Sequence, residues 1–212
     1  MIKVQQFDAP LNFLARVQIP GQRFLLRNPS PTRKDFKRHN YWSKIHDDIY
    51  NLYGGICSYC ASWTPRRAVP TDPNYTSVDH YIPKSVSPSL AYEWSNYRLC
   101  RARLNSNKDS SLEVVDPFHV QNGWFIIDFT SFLIVPSPSI PELTQERVNL
   151  SIDILGLNDN DMLEQRLDVI YRYSIDEIDI AQLILSYPFI AAEMVRQNFD
   201  INFKAEISSL SL

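Results

Sequence analysis

A β-type run that ends in two reactive side chains constrains this chain more than any other feature. The run TSVDHYIPKS, residues 76–85, carries Asp79 and His80 side by side where an ordinary strand would carry apolar side chains. Successive side chains of a strand point to opposite faces, so the two residues diverge near the strand end. We therefore expect Asp79 and His80 to act on two sides of one bound group and not to serve as core residues.

The chain of 212 residues is long enough for one sizeable core, or for a small core with helical additions. It has no run of eighteen apolar residues, and its first segment, MIKVQQFDAPLNFLARVQ, lacks a continuous apolar signal. Three cysteines are an odd number for a secreted disulfide framework, and two of them form the C-x-x-C of residues 57–60. We therefore expect a cytoplasmic protein with no membrane partner.

Charge is distributed unevenly along the chain, although the net value is only −3. Residues 1–108 contain 16 Lys and Arg against 7 Asp and Glu, whereas residues 109–212 contain 5 against 17. This asymmetry indicates a basic half that contacts a polyanion and an acidic half with another task. Two charged, solvated surfaces without a partner are the alternative.

Hydrophobic periodicity and turn signals predict an α+β fold. A helix is predicted from Asn40 to Tyr53, where a Gly-Gly pair stops it. The stretch 117–128 predicts a β-hairpin around a type I′ turn at Asn122-Gly123, and a Pro/Ser stretch at 136–141 breaks the chain after it.

A helical tail is predicted beyond that break. The predicted helices are about 143–155, about 160–173, one from the SIDE capping box at 174–177 and one from Pro188. The chain therefore divides into a basic N-terminal region (1–55), a central unit (56–110), a hairpin with a linker (111–140) and an acidic helical region (141–212).

Phosphodiester hydrolysis is the chemistry that the central unit suits. Such a reaction needs a divalent cation on a phosphate oxygen and a base that takes a proton from water. A neutral histidine is such a base near pH 7, and His80 fits the role. Hard cations such as Mg²⁺ or Mn²⁺ prefer oxygen ligands, which Asp79 and Asn105 can supply.

Three further polar side chains belong to this constellation. Asn96 carries an amide that both donates and accepts, so it suits a role in holding the loop and orienting the imidazole through a carbonyl contact. Lys108 lies about one helical turn after Asn105 and is placed to reach an adjacent phosphate. Asn107 competes as metal ligand, but two residues on a helix are about 200° apart, and the lysine spacing favours Asn105.

Basic side chains surround these positions in the sequence. Phosphate contacts position a substrate without reading its sequence, and no helix-turn-helix is recognisable, so weak sequence specificity or a guiding partner is expected. A solvated helix face is the alternative for each arginine. The candidate nucleic-acid contacts are Lys84, Arg101, Arg103 and Lys108.

The ordered set D-H-x-x-P, W-x-N and N-x-x-K, preceded by C-x-x-C, resembles the HNH, or ββα-metal, nuclease motif. His80, Asn96 and Asn105 match its three signature positions, with asparagine in place of the last histidine. The resemblance covers roughly residues 56–110. It implies two strands and a helix around one Mg²⁺ or Mn²⁺, with His80 as base, Asn96 orienting it, and Asp79 and Asn105 as metal ligands.

The cysteines depart from the family pattern. Many HNH proteins carry a second C-x-x-C directly before the last signature residue, but here Leu104 precedes Asn105. Cys57, Cys60 and Cys100 are therefore one ligand short of a Cys₄ zinc site, and buried thiols are favoured over structural zinc.

The outer parts of the chain are similar to small HNH proteins of bacterial anti-phage systems of the Septu and retron-associated types. That likeness implies an effector endonuclease of antiviral defence, with DNA favoured over RNA as substrate. The acidic helical region then suits docking of a regulatory protein such as an ATPase, and a self-contained helical cap accounts for it equally well. A catalytically silent nucleic-acid-binding or regulatory subunit on the same scaffold is the alternative.

Overall fold

The computed structural model describes residues 1–66 and 74–199. Helices alternate with two small antiparallel sheets of two strands each, so the predicted α+β class is confirmed. Within these two ranges, no helix has the length and apolar character needed to cross a bilayer.

Short helical segments build the N-terminal region around aromatic side chains. They are a π-helical turn (Leu14–Gln18), α1 (Ile19–Arg27), α2 (Arg33–Arg38), a 3₁₀ turn (Tyr41–Ile45) and α3 (His46–Leu52). The last two confirm the helix predicted from Asn40 to Tyr53. It stops where expected because Gly54 and Gly55 adopt φ values of 59° and 73°, which favour glycine.

The central unit is a two-stranded ribbon followed directly by a helix. Strand β1 (Thr76–His80) pairs antiparallel with β2 (Tyr97–Arg101), and α4 (Ala102–Lys108) begins at the next residue. The register places His80 opposite Tyr97 at the ribbon end. The predicted strand end at the Asp-His pair is thus confirmed.

The two faces of the β1–β2 ribbon pack against different cores. On the face of His80, Tyr97 and Leu99 join an aromatic cluster made with the N-terminal helices. On the face of Asp79, Cys100 joins a larger core shared with α4 and the C-terminal region. Side-chain alternation along one strand therefore directs the two reactive residues into separate surroundings.

The β-hairpin lies further along the chain than predicted. Its strands are β3 (Phe125–Asp128) and β4 (Leu133–Pro136), whereas the prediction placed it over 117–128 with its turn at Asn122-Gly123. That prediction is wrong in position, because the residues before Asn122 form a turn rather than a strand.

Asp116 explains the shift of the hairpin. Its carboxylate accepts the backbone N–H of Phe118, and its carbonyl accepts those of His119 and Val120. These hydrogen bonds fold the stretch onto Asp116, and the carbonyl of Pro117 accepts the N–H of Val4, so the stretch does not form a hairpin strand.

Four helices follow β4 in the part of the chain that the structure describes. They are α5 (Glu142–Leu155), α6 (Asn160–Ser174), α7 (Ile180–Ser186) and α8 (Pro188–Arg196). The predicted start at the SIDE box of 174–177 is wrong, because the Ser174 hydroxyl donates to the carbonyl of Tyr171 inside α6. The capping box lies instead at Asp179, whose carboxylate accepts the N–H of Gln182 at 2.7 Å.

Candidate active site

His80 is held at the end of β1 with its imidazole only 4% exposed. Nε2 lies 2.9 Å from the carbonyl oxygen of Ala91 and donates to it, which leaves Nδ1 as an acceptor. Nζ of Lys84 lies 3.2 Å from Nδ1 and donates there. The rings of Trp42 and Tyr97 pack edge-on at centroid distances of 4.7 and 5.1 Å. The imidazole is thus fixed in one tautomer and one orientation.

The surroundings of His80 disfavour its protonated form. Burial lowers the pKa of His80 well below its usual value, and the positive charges of Lys84 and Lys108 lower it further. The hydrogen bond to Ala91 opposes this change. The ring is therefore neutral at pH 7, as a general base must be.

Asn96 organises the loop that carries the partner of His80. Its Oδ1 accepts the N–H of Ile82 at 2.7 Å, and its Nδ2 donates to the carbonyls of Ile82 and Leu90 at 2.9 and 3.1 Å. Both ring nitrogens of His80 have other partners, so Asn96 acts on the imidazole through the loop. It fixes Leu90, whose neighbour Ala91 receives the Nε2 proton.

Asp79 lies on the other face of the ribbon, where its carboxylate is 3% exposed. The hydroxyl of Tyr59 donates to its Oδ2 at 2.6 Å. Nζ of Lys108 lies 3.2 Å from Oδ2 and 3.4 Å from Oδ1, and it also donates to the carbonyl of His80 at 3.1 Å. Lys108 is 1% exposed. Lys108 is therefore an internal counter-ion of Asp79. Its spacing from Asn105 had predicted a contact with a substrate phosphate instead.

Tyr59 is a site residue that the sequence analysis did not identify. It is fully buried, and burial together with the charge of Asp79 raises the pKa of its hydroxyl, which stays a donor. The C-x-x-C turn that contains it is fixed to β2, because the N–H of Ser58 donates to the carbonyl of Leu99 at 2.8 Å. An aromatic hydroxyl inside that turn was the available signal.

Asn105 faces β1 on the side of Asp79. Its Nδ2 donates to Oγ of Ser77 at 3.1 Å, and Ser77 lies two residues from Asp79 on the same face, about 7 Å along the strand. Asn107 points elsewhere, because its Nδ2 donates to the carbonyl of Leu155 at 3.0 Å. The structure thus places Asn105, and not Asn107, against β1, and the choice of Asn105 as metal ligand stays a prediction.

The donors on the Asp79 face fit a hard cation. A carboxylate and an amide oxygen are the ligand types that Mg²⁺ accepts, and Mg²⁺ fills its other positions with water and substrate phosphate. Residues 1–66 and 74–199 contain no group of three His, Cys, Asp or Glu side chains arranged around one ion. Two protein ligands, Asp79 and Asn105, would leave most positions of such a cation to water and substrate.

The three cysteines are buried free thiols. Sγ of Cys57 accepts the backbone N–H of Arg101 at 3.3 Å, and Sγ of Cys100 lies 3.5 Å from Oγ of Ser77. Burial raises the pKa of Cys57 and of Cys100, whereas the hydrogen bond from Cys57 lowers the pKa of Cys60. Cys57 and Cys60 flank Tyr59 in the turn, Cys100 belongs to β2, and all three thiols lie in the core on the Asp79 face.

Arg101 and Arg103 turn toward the C-terminal region instead of solvent. Arg101 is 5% exposed and donates to Oε1 of Gln165 at 2.9 Å. Arg103 forms ion pairs with Asp159, at 2.9 Å, and with Asp161. A phosphate contact from either arginine would require these bonds to break. Of the four candidate contacts, Lys84 is the one that borders the imidazole.

Comparison with protein-family models and with curated proteins returned no match. The geometry of the two ribbon faces consequently carries the functional argument.

Proposed function

We propose that the protein is a divalent-metal-dependent endonuclease of the HNH type, which hydrolyses phosphodiester bonds of nucleic acid, with DNA as the favoured substrate. One observation carries the proposal. A neutral imidazole and a carboxylate diverge from adjacent positions at the end of β1, and dedicated hydrogen bonds hold each of them. Hydrolysis needs these two groups on opposite sides of one phosphate.

His80 acts as the general base in this proposal. The bond from Nε2 to Ala91 leaves the lone pair on Nδ1, so Nδ1 accepts the proton of the attacking water. Lys84 occupies Nδ1 in the free protein and must leave before water can bind there. A phosphate oxygen is a stronger partner for an ammonium group than a neutral imidazole is. Substrate binding would therefore draw Lys84 away and expose the base.

Asp79 and Asn105 would hold Mg²⁺ or Mn²⁺ on the other face. When bound, the cation stabilises the charge that develops on the phosphate and on the leaving oxygen. Tyr59 fixes one carboxylate oxygen of Asp79, and the ammonium group of Lys108 pairs with the same carboxylate. Asn96 keeps the loop beside His80 in place, as described above.

A catalytically silent nucleic-acid-binding or regulatory subunit is the second candidate function. Two contacts favour it, because Lys84 covers Nδ1 of His80 and Lys108 pairs with Asp79. In a silent module both contacts would persist when nucleic acid binds. The two functions therefore differ in whether the imidazole is ever released to water.

Plasmid nicking with Mg²⁺ or Mn²⁺ separates these functions. Wild type should nick, and His80→Ala should lose about 10²- to 10⁴-fold in rate, as expected for loss of a general base. His119→Ala is the matched control, since that side chain is 81% exposed. Equal nicking by wild type and His80→Ala would end the assignment. Binding of DNA by wild type without nicking under either metal would support the silent module.

The proposal extends to an effector role in anti-phage defence, with the acidic helical region docking a regulatory protein such as an ATPase. Apolar side chains are exposed on α6 and α7, among them Tyr171, Ile184 and Leu185, beside carboxylates such as Asp168. Phage plating on cells that express wild type or His80→Ala tests the role. Equal protection by both proteins would contradict it.

A further inference from the structure

We infer that the exposed basic face of α2 is the surface along which the nucleic-acid backbone reaches His80. The inference rests on the proposed function for the identity of the substrate. It assigns the contact to a helix on the His80 face of the ribbon, whereas three of the four contacts predicted from sequence lie at the end of β2 and on α4.

The basic side chains of α2 form one continuous surface. At 3.6 residues per turn they fall within an arc of about 140°, and Phe36 is buried on another side of the helix. Asp35 closes the capping box with Thr32, so its carboxylate is directed to the helix start. The four exposed cations are Arg33, Lys34, Lys37 and Arg38.

These four cations repel one another in the free protein. Arg33 and Lys37 are four residues apart, as are Lys34 and Arg38, and like charges at that spacing destabilise a helix. Among the residues that the structure describes, no carboxylate lies within ion-pair distance of any of them. A bound polyanion would relieve this repulsion, and phosphate groups supply that charge.

Aromatic packing connects α2 to the candidate base. The ring of Phe36 lies 6.5 Å from that of Trp42, and Trp42 packs edge-on against His80 at 4.7 Å. Nζ of Lys84 lies 4.8 Å above the same Trp42 ring. Arg33 is close enough to Lys84 for its charge to help burial lower the pKa of that lysine. Two packed aromatic side chains, Phe36 and Trp42, therefore connect α2 to the imidazole.

The α4 side of the ribbon offers no comparable charge. Arg103 is paired with Asp159 and Asp161, and Lys108 is paired with Asp79. Arg101, on the same side, is buried and donates to Gln165, so it is not an exposed cation. The exposed cations of α2 lie on the His80 side instead. A backbone that crosses α2 would bring a phosphate to Lys84, the residue that must release Nδ1.

The test measures binding of a labelled DNA duplex by His80→Ala protein over a range of salt concentrations. The double substitution Arg33→Gln/Lys37→Gln should reduce the slope of log affinity against log salt by about 2, because each phosphate contact contributes about 0.9. Arg172→Gln/Arg196→Gln removes the same charge from residues paired with carboxylates and should leave the slope unchanged. Circular dichroism checks that each variant is folded.

Each outcome decides the inference. Equal slopes for the parent and the α2 variant would overturn it, as would an equal loss in the control variant. The α2 substitutions could instead abolish binding to phosphatidylserine vesicles and leave DNA binding unchanged. That result would also overturn the inference and assign the surface to anionic lipid. If DNA binding needs α2 but wild type never nicks, the inference stands and the proposed function fails. If wild type nicks DNA and the α2 substitutions do not change the nicking rate, the inference fails and the proposed function stands.

Discussion

Each face of the β1–β2 ribbon carries a lysine beside a reactive group, and the two lysines differ in burial and in partner. On one face Lys108 is sealed against Asp79, and a tyrosine hydroxyl completes the contact. On the other face Lys84 is half-buried over His80 and lies near an exposed basic helix. A sealed cation stabilises the fold, whereas a cation at the surface can exchange its partner. Under the proposed function, Lys84 is therefore the lysine placed to exchange its partner for a phosphate, whereas Lys108 is not.

Removal of the sealed lysine should produce the largest effect. Lys108→Met leaves the carboxylate of Asp79 buried without its counter-ion, and breaking a buried pair in this way costs about 3–5 kcal/mol. Urea denaturation measures the change in the free energy of unfolding. Lys44→Met, at an exposed position, should change it by less than about 0.5 kcal/mol.

A second substitution keeps the Lys108 prediction testable. Asp79→Asn/Lys108→Met removes both charges and should recover much of the lost stability, since the unpaired carboxylate is gone. A loss below about 1 kcal/mol for Lys108→Met alone would contradict the view of a sealed pair.

Gly21→Ala should produce the next largest effect, on the His80 face. A Cβ at Gly21 would lie 2.1 Å from Cγ of Tyr92, whose hydroxyl donates to the carbonyl of His39 and whose neighbour Ala91 holds His80. Overpacking of this kind costs about 1–3 kcal/mol.

Gly123→Ala is the matched control for Gly21→Ala. Its added Cβ meets nothing within 4 Å, so the cost comes only from the positive φ of 89° and should be about 1–2 kcal/mol. Thermal melting compares the two variants. A Gly21→Ala protein as stable as wild type would mean that α1 does not press on the loop of His80.

Acid pH should reveal the burial of His80 as a smaller, graded effect. Because the pKa of His80 is lowered in the folded protein, the unfolded chain binds a proton more readily below about pH 6.5. The contribution of the neutral imidazole to stability is therefore fully present above that pH. Below it, the free energy of unfolding falls by about 1.4 kcal/mol per pH unit. His80→Gln should remove this component of the slope in urea denaturation between pH 6.5 and 5. An unchanged slope would contradict a neutral buried imidazole.

Removal of Lys84 should give the smallest change. Lys84→Met frees Nδ1 of His80, so carbethoxylation of the imidazole by diethylpyrocarbonate should accelerate about 2- to 10-fold, which corresponds to a hydrogen bond of about 0.5–1.5 kcal/mol. Mass spectrometry of the peptide that contains His80 measures the rate. Lys44→Met is again the control. Slower or unchanged modification would mean that Lys84 does not shield the base.

Local signals were sufficient for the parts of the site that lie within one element. The β-type run predicts the divergence of Asp79 and His80 because alternation is a property of any strand. Helical spacing likewise separates Asn105 from Asn107, and α4 has that arrangement.

Long-range contacts account for what the sequence could not predict. Arg98 is 2% exposed and donates to both carboxylate oxygens of Asp116, at 2.8 and 2.6 Å, while its guanidinium lies 3.5 Å from the centre of the Phe118 ring. This pair fixes the turn that displaces the hairpin. The burial of Lys108 depends in the same way on how α4 packs against β1, which no spacing within the helix reveals.

A crystal soaked in Mn²⁺ shows whether Asp79 and Asn105 bind a divalent cation, because anomalous scattering locates the ion. We expect one Mn²⁺ about 2.0–2.2 Å from oxygens of Asp79 and Asn105, on the face of β1 opposite the imidazole of His80. The ion should be absent from crystals of Asp79→Asn. Mn²⁺ bound elsewhere, or a carboxylate of Asp79 that stays paired with Lys108 and Tyr59 without an ion at saturating Mn²⁺, would contradict the account.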